Sequence, residues 1–169
     1  MKIISKKGKV FCLVLLIGAV CIPVLNAGVI SVPPITARAD EQEGFTWFAD
    51  MTQFYVDGFQ YNPSPDIYIP VNLPNGVSIK TFIAILTDET AEPRYPISVE
   101  LVRVNMATGN MDYMGGVNSA RGHALDREAL TTTNISHRIV DNTRFAYAVY
   151  ITEWYPTIDR KFHGAKIYY

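Results

Sequence analysis

The sequence predicts an all-β protein, an antiparallel sandwich or barrel, and three observations lead to this prediction. Short segments rich in β-branched and aromatic residues recur along the chain. Clusters of Gly, Pro, Asn and Asp separate them, and these residues supply the fixed or positive φ that turns need. Helical periodicity is nearly absent. A separate N-terminal pattern, basic and then apolar, predicts a leader ahead of this domain.

The leader has three recognisable parts. Four lysines (Lys2, Lys6, Lys7 and Lys9) precede an apolar run from Val10 to Leu25. Ala37-Arg38-Ala39 then forms a small-x-small cleavage motif ahead of Asp40. We predict a signal peptide over 1–39 and a single domain over 40–169. The alternative cleavage, after Ala27, is less attractive because the large Leu25 occupies the minus-three position.

An uncleaved N-terminal helix is the alternative to removal of the leader. Val10 to Val32 is long enough to cross a bilayer. Pro23, Asn26 and the Pro33-Pro34 pair oppose this interpretation. The prediction is therefore a secreted protein, extracellular or periplasmic, with no membrane association once the leader is removed.

Removal of the leader after Ala39 changes the charge of the chain. Fifteen basic residues fall to ten while all sixteen acidic residues remain, so the net charge becomes −6. An acidic domain disfavours nucleic acid and anionic membranes as partners. Cys12 and Cys21 both lie in the leader, so residues 40–169 have neither a disulfide nor a thiolate.

Individual strands are predicted from period-two alternation. Phe145, Tyr147, Val149 and Ile151 fall on one face of a strand, and Ala146, Ala148 and Tyr150 on the other. The run from Ile79 to Leu86 is apolar on both sides and is placed inside a sheet. The full set of predicted strands is 45–48, 53–61, 67–71, 77–86, 97–104, 111–117, 134–140, 145–154 and 162–169. Ala124 to Leu130 is predicted as one solvated helical turn.

The order of these segments resembles a family of uncharacterised exported bacterial β-sandwich domains. The residues that carry the resemblance are Ile69 to Gly76, Thr87-Asp88, Ile97 to Val104, Val140 to Asn142 and Gly164 to Tyr169. It covers most of 55–169 and implies a jelly-roll-like architecture. It implies no activity and no catalytic residue. The prediction is thus a single antiparallel β-sandwich, jelly-roll-like, with a tight turn at Asn72 to Val77 in which Pro74 fixes φ and Gly76 takes positive φ.

The residues offer little catalytic or metal chemistry. His123, His137 and His163 do not have the spacing of a metal pair. Ser119, a histidine and Asp141 have the residue types of a catalytic triad, but the sequence gives no geometry that would bring them together. Loop carboxylates at Asp88, Glu89, Glu92 and Asp141 are oxygen ligands of the kind calcium takes, but no Asp-x-Asp-x-Asp motif is present. We predict a protein without cofactor or catalysis.

Aromatic residues near strand ends are the best lead to function. Trp154 and Tyr155 lie where the alternating strand from Phe145 to Thr152 ends, and Tyr95 lies in the segment from Asp88 to Pro96. Sugar binding uses flat rings beside carboxylates, because the ring packs on the apolar face of a pyranose and the carboxylate accepts from its hydroxyls. Trp154, Tyr155, Tyr95 and Asp88 are therefore the predicted ligand-binding residues. The competing interpretation is that these rings cap the core.

Two functions from different classes follow, with binding favoured narrowly. The first is an extracellular binding module for a glycan or another surface ligand, with its site on loops Asp88 to Tyr95 and Trp154 to Lys161. The second is a structural or self-assembling surface protein, in which an aromatic edge strand from Phe162 to Tyr169 pairs with a further copy as a homo-oligomer. An extracellular hydrolase with a carboxylate pair is the third choice.

Overall fold

In the computed structural model, the described residues form eleven β-strands. The structure describes residues 27–34, 38–39, 45–49, 54–58, 66–89, 96–119, 125–152 and 160–169. The strands are β1 (Val29–Val32), β2 (Arg38–Ala39), β3 (Phe45–Ala49), β4 (Phe54–Gly58), β5 (Ile67–Val71), β6 (Thr81–Asp88), β7 (Ser98–Asn105), β8 (Met111–Asn118), β9 (Leu125–Thr132), β10 (Phe145–Thr152) and β11 (Arg160–Tyr168). Within these ranges no helix is long and apolar enough to cross a membrane.

The strands form two antiparallel sheets. One sheet has the order β3-β4-β11-β6-β9, with β1 also paired to β11, and the other has the order β2-β5-β10-β7-β8. Consecutive strands repeatedly change sheet, at β5 to β6, β6 to β7, β8 to β9, β9 to β10 and β10 to β11. Such crossing connections are typical of a jelly roll. The predicted jelly-roll-like β-sandwich is confirmed.

Apolar side chains on the two inner faces make one core. Val149 and Ile151 of β10 are fully buried, as the period-two alternation predicts. They face Phe82 and Leu86 of β6 and Phe162 of β11 in a single cluster of buried residues. Of the run from Ile79 to Leu86, the part from Thr81 belongs to β6, which lies inside its sheet because it pairs with β11 on one side and β9 on the other.

The predicted helical turn at Ala124 to Leu130 is wrong, because Leu125 to Thr132 is strand β9. It pairs antiparallel with β6, with Leu130 opposite Ala84. Arg127 adopts a positive φ of 51°, and the register shifts nearby. Backbone pairing with β6 overrides the local preference of a short charged segment. A bulge and charged residues are usual on an edge strand, where they discourage pairing with other chains.

Two further strand predictions are corrected. Residues 134–140 form an irregular segment whose one isolated bridge joins Ile139 to Ser78. The predicted edge strand from Phe162 to Tyr169 belongs to β11, which is internal. It pairs with β6 along one side and with β4 and β1 along the other. Its backbone groups are thus already satisfied within the sheet, so it offers no edge to another copy.

The predicted turn at Asn72 to Val77 is present. Gly76 has a φ of 78°, a value that glycine adopts without the Cβ penalty of other residues. The Gly76 amide donates to the Val140 carbonyl at 2.8 Å. The Asn142 side chain donates to the Leu73 carbonyl at 2.7 Å. These bonds fix the turn against the segment that leads into β10.

Candidate ligand-binding face

Two connections leave the sandwich side by side at one end. In the first sheet Asp88, at the end of β6, is the register partner of Arg160, at the start of β11. In the second sheet Ser98, at the start of β7, is the partner of Thr152, at the end of β10. The segment 89–97 therefore joins the same two pairs of strand ends as the segment 153–159. The described residues that flank the two predicted site loops are therefore register partners of one another.

A buried polar network holds these strand ends together. The Arg160 Nε donates to Asp88 Oδ1 at 3.1 Å, and both side chains are almost completely buried. The Ser119 hydroxyl donates to Asp88 Oδ2 at 2.7 Å and accepts from the Ile97 amide at 2.8 Å. Hydrogen bonds between buried groups are stronger than in water, so they help to specify the local structure. The network joins β6 and β11 of one sheet to the residues flanking β7 and β8 of the other.

The outer face of the second sheet carries a row of residues that crosses four strands. Tyr68 of β5 is opposite Tyr150 of β10, Tyr150 is opposite Glu100 of β7, and Glu100 is opposite Gly116 of β8. At the usual strand separation this row is about 14 Å across. It runs next to the Thr152 and Ser98 pair, so it adjoins the end from which both loops leave.

The two tyrosines in this row are held rigidly. Their ring centroids are 4.8 Å apart and their planes are inclined at 18°, a stacked arrangement. The Tyr150 hydroxyl donates to Asp66 Oδ1 at 2.7 Å. Burial, and then this hydrogen bond to Asp66, raise the pKa of Tyr150 well above its ordinary value. Tyr150 is therefore a neutral hydrogen-bonding phenol at every physiological pH.

A second aromatic group stands at the far side of the face. Tyr113 of β8 is 55 % exposed and is the register partner of Val102. Partial burial, and next the charge of Glu100, raise the pKa of Tyr113. The neighbouring positions Pro70 and Ala148 carry short side chains. The face thus has aromatic residues on β5, β10 and β8, and short side chains lie between them.

The same face ends in a shallow depression. It has a volume of about 370 Å³, and its lining includes Asn72, Met106, Asn142 and Ala146. Met106 is 58 % exposed. Apolar carbon beside two side-chain amides gives this depression both a packing surface and hydrogen-bonding groups.

The four residues predicted from sequence have different outcomes. Trp154, Tyr155 and Tyr95 lie outside the described residues. Asp88 lies at the base of the two loops, where only 3 % of it is exposed and its carboxylate contacts Ser119 and Arg160. Sequence reasoning missed Tyr68, Asp66 and Arg160. One signal was available for the face, because Tyr150 is an aromatic residue on the side of β10 opposite the core positions.

Other predicted chemistry is placed as follows. Ser119, a candidate for a nucleophile, uses its hydroxyl in the buried bond to Asp88, and the Asp141 carboxylate accepts from the Thr143 amide. His163 contacts the Thr87 hydroxyl at 2.8 Å. In the part of the chain that the structure describes, no three His, Cys, Asp or Glu side chains are grouped as metal ligands.

Comparison with solved structures identifies proteins of similar architecture. A xylan-binding module of the group CBM15 aligns with a TM-score of 0.50 and 13 % identity, covering 83 % of this chain and 95 % of the module. The two proteins share a fold. A CBM29-2 variant in complex with cellulohexaose aligns with a TM-score of 0.44 and 7 % identity over 85 % of this chain and 88 % of its own. No protein-family model and no curated protein matches the sequence.

Proposed function

We propose that this protein is an exported, non-catalytic module that binds a glycan. The observation that carries the proposal is the row of Tyr68, Tyr150 and Glu100 on an outer sheet face. This row combines aromatic surface with a carboxylate, and stacking and hydrogen bonding have already fixed its rings. Fixed side chains lose little entropy on binding, which favours affinity from a shallow surface.

The chemistry of the face matches both the apolar C–H groups and the hydroxyl groups of a sugar. The C–H groups of a pyranose ring pack on aromatic and aliphatic carbon, here Tyr68, Tyr150 and Tyr113. Its hydroxyl groups donate to carboxylates such as Glu100 and accept from amides such as those of Asn72 and Asn142. An acidic, open face of this kind suits a neutral polysaccharide better than a polyanion, because Glu100 and Asp66 would repel negative charge.

The two loops extend this site in the proposal. Trp154, Tyr155 and Tyr95 are assigned to sugar contact on segments whose described ends adjoin the tyrosine row. Asp88 is assigned a positioning role, because its carboxylate bonds Arg160 and Ser119 beneath the loops. Loops fixed to a rigid scaffold are where binding residues concentrate in sandwich folds.

The fold and the leader support the proposed setting. The structural neighbour with the same fold is described as xylan-binding, which makes xylan the first polymer to test. The basic and apolar N-terminus predicts export to a compartment where polysaccharides are found. Membership of the exported bacterial β-sandwich family is part of the same proposal.

Affinity electrophoresis of the exported protein through gels containing xylan, soluble cellulose derivatives or mannan tests the proposal. We expect retardation by at least one polymer, and we expect Tyr150→Ala to lose at least tenfold in affinity. Tyr168→Ala is the matched control, because Tyr168 is an exposed tyrosine on the other sheet. Equal effects of the two substitutions would contradict the proposed face, and no retardation by any polymer would contradict the function.

Two additions to this experiment separate the neighbouring hypotheses. Trp154→Ala tests the loop assignment independently of the sheet face. Reducing-sugar release from the retained polymer tests for hydrolysis, and we expect none. Gels run with calcium and with a chelator test whether loop carboxylates hold an ion, and we expect equal retardation in both.

A further inference from the structure

We propose that the leader is removed after Ala27, and that residues 28–34 form part of the folded protein. Cleavage is the hydrolysis of the Ala27–Gly28 peptide bond by a leader peptidase of the export machinery. Water supplies the hydroxyl that completes the Ala27 carboxylate on the leader and the hydrogen that completes the Gly28 amine. The inference concerns processing: it rests on the proposed export and does not depend on glycan binding.

Strand β1 is integrated into the sandwich through backbone and side chain. It pairs with β11 from Val29 opposite Tyr168 to Val32 opposite Ala165. Beyond the strand, Gly28 and Tyr169 exchange two backbone hydrogen bonds of 3.0 Å each. Val32 is 4 % exposed in the core cluster, and Ile30 packs against the same cluster. Cleavage after Ala39 would remove all of these contacts.

Gly164, far from β1 in sequence, lies against it in the structure. Gly164 in β11 has a φ of 123°, and a Cβ at this position would lie 2.8 Å from the Val32 carbonyl oxygen. The absence of a side chain at Gly164 therefore permits the close approach of β1. Gly164 also marks the register shift in β11, next to the place where its partner changes from β4 to β1. The close contact between Gly164 and the Val32 carbonyl oxygen exists only when residues 28–34 stay in the protein.

A second argument is the sheet edge that cleavage after Ala39 would expose on β11. Without β1, the stretch of β11 from Ala165 to Tyr168 would have unpaired backbone groups along one side. Exposed edges recruit strands from other chains and promote aggregation. Cleavage after Ala27 keeps this stretch covered, and it also keeps β2, whose Arg38 and Ala39 pair with Tyr68 and Ile67 of β5.

The position of the apolar run agrees with the earlier site. Secretory cleavage sites usually lie close behind the apolar run. Ala27 lies directly after the run that ends at Leu25, whereas Ala39 lies well beyond it. Ala27 supplies the small residue before the cut. The large Leu25 at minus three is the one unfavourable feature, so we expect Leu25→Ala to raise the processed fraction without moving the cleavage site.

N-terminal sequencing and intact mass of the exported full-length gene product test the proposal. We expect Gly28 as the first residue. Ala27→Phe should cause unprocessed chain to accumulate, while the matched substitution Ala39→Phe should leave the product unchanged. An N-terminus at Asp40, an uncleaved product, or a changed product with Ala39→Phe would overturn the proposal.

A measurement on the exported protein tests the structural half of the argument. Val32→Ala removes buried carbon from β1, so we expect it to lower the Tm by several degrees. Ser31→Ala changes an exposed position of the same strand and should leave the Tm nearly unchanged. Equal Tm values for Val32→Ala and the natural protein would show that β1 is absent from the folded product and would overturn the proposal.

Discussion

Arg160 Nε and Asp88 Oδ1 are 3.1 Å apart in a buried ion pair that links the end of β6 to the start of β11. Ser119 extends this link to the second sheet, because its hydroxyl donates to Asp88 and accepts from the Ile97 amide beside β7. The pair lies at strand ends that flank the segments 89–97 and 153–159. Its geometry therefore affects the stability of this end of the sandwich.

Asp88→Asn should strongly destabilise the protein. The substitution leaves the Arg160 guanidinium buried without its counter-charge, which typically costs about 3–5 kcal/mol. Urea unfolding measures the change in the free energy of unfolding. Asp112→Asn is the control, since the Arg103–Asp112 pair has a similar separation of 2.9 Å but Asp112 is 42 % exposed, and such pairs contribute at most about 1 kcal/mol. Equal losses would contradict the assigned role.

Ser119→Ala should also destabilise the protein, by about 1–3 kcal/mol, because it leaves the Ile97 amide and one Asp88 oxygen without their hydroxyl partner. Ser136→Ala, at an exposed position, provides the comparison. Chemical denaturation of both variants gives the difference. A loss no larger than that of Ser136→Ala would argue against the network.

Alkaline pH should weaken the folded state through Tyr150. Its pKa is raised in the folded protein, first by burial and then by the bond to Asp66, whereas the unfolded chain ionises near 10. Above pH 10 the folded state retains a proton that the unfolded state has lost. The free energy of unfolding therefore falls as pH rises, by at most about 1.4 kcal/mol per pH unit for this group. Below pH 10 the contribution is fully present.

Tyr150→Phe tests this dependence. Between pH 9 and 11 the free energy of unfolding of the variant should fall less steeply than that of the natural protein. Urea unfolding at several pH values gives both slopes. Parallel curves would show that Tyr150 ionises equally in the folded and unfolded states, which contradicts the described contacts.

Gly76 offers a test of backbone strain alone. Its φ is 78°, and an added Cβ would meet no atom within 4 Å. Gly76→Val should therefore cost about 1–2 kcal/mol through the left-handed conformation only. Gly76→Asn should cost less, because asparagine visits this region more readily. Thermal unfolding of the two variants ranks them, and the reverse order would refute the argument.

The sandwich was predictable from sequence where one face of each strand is apolar. Ile67 to Val71 was predicted with the observed bounds because alternation and flanking turns agree. Strand β9 was not predicted, because the charged residues from Asp126 to Glu128 interrupt the alternation of apolar and polar residues. Its pairing with β6 also joins segments far apart in sequence. Strand β1 was assigned to the leader because an apolar segment has the same composition in both settings.

The candidate site was predictable only in part. Sequence indicated which loops flank aromatic residues, but it contained no information that Ser98 and Thr152 are neighbours. The stacking of Tyr68 on Tyr150 also depends on sheet order. The burial of Asp88 could not be predicted without its partner Arg160, which lies in β11, 72 residues after Asp88.

The pairing of β1 with β11 has a kinetic consequence. Val29 to Val32 pair with Ala165 to Tyr168, so this part of the sheet forms only when two segments far apart in sequence have come together. Native contacts of such large sequence separation make folding slow. A chain that completes this sheet late stays unfolded for longer, and that is the state in which the export proposed above would have to carry it.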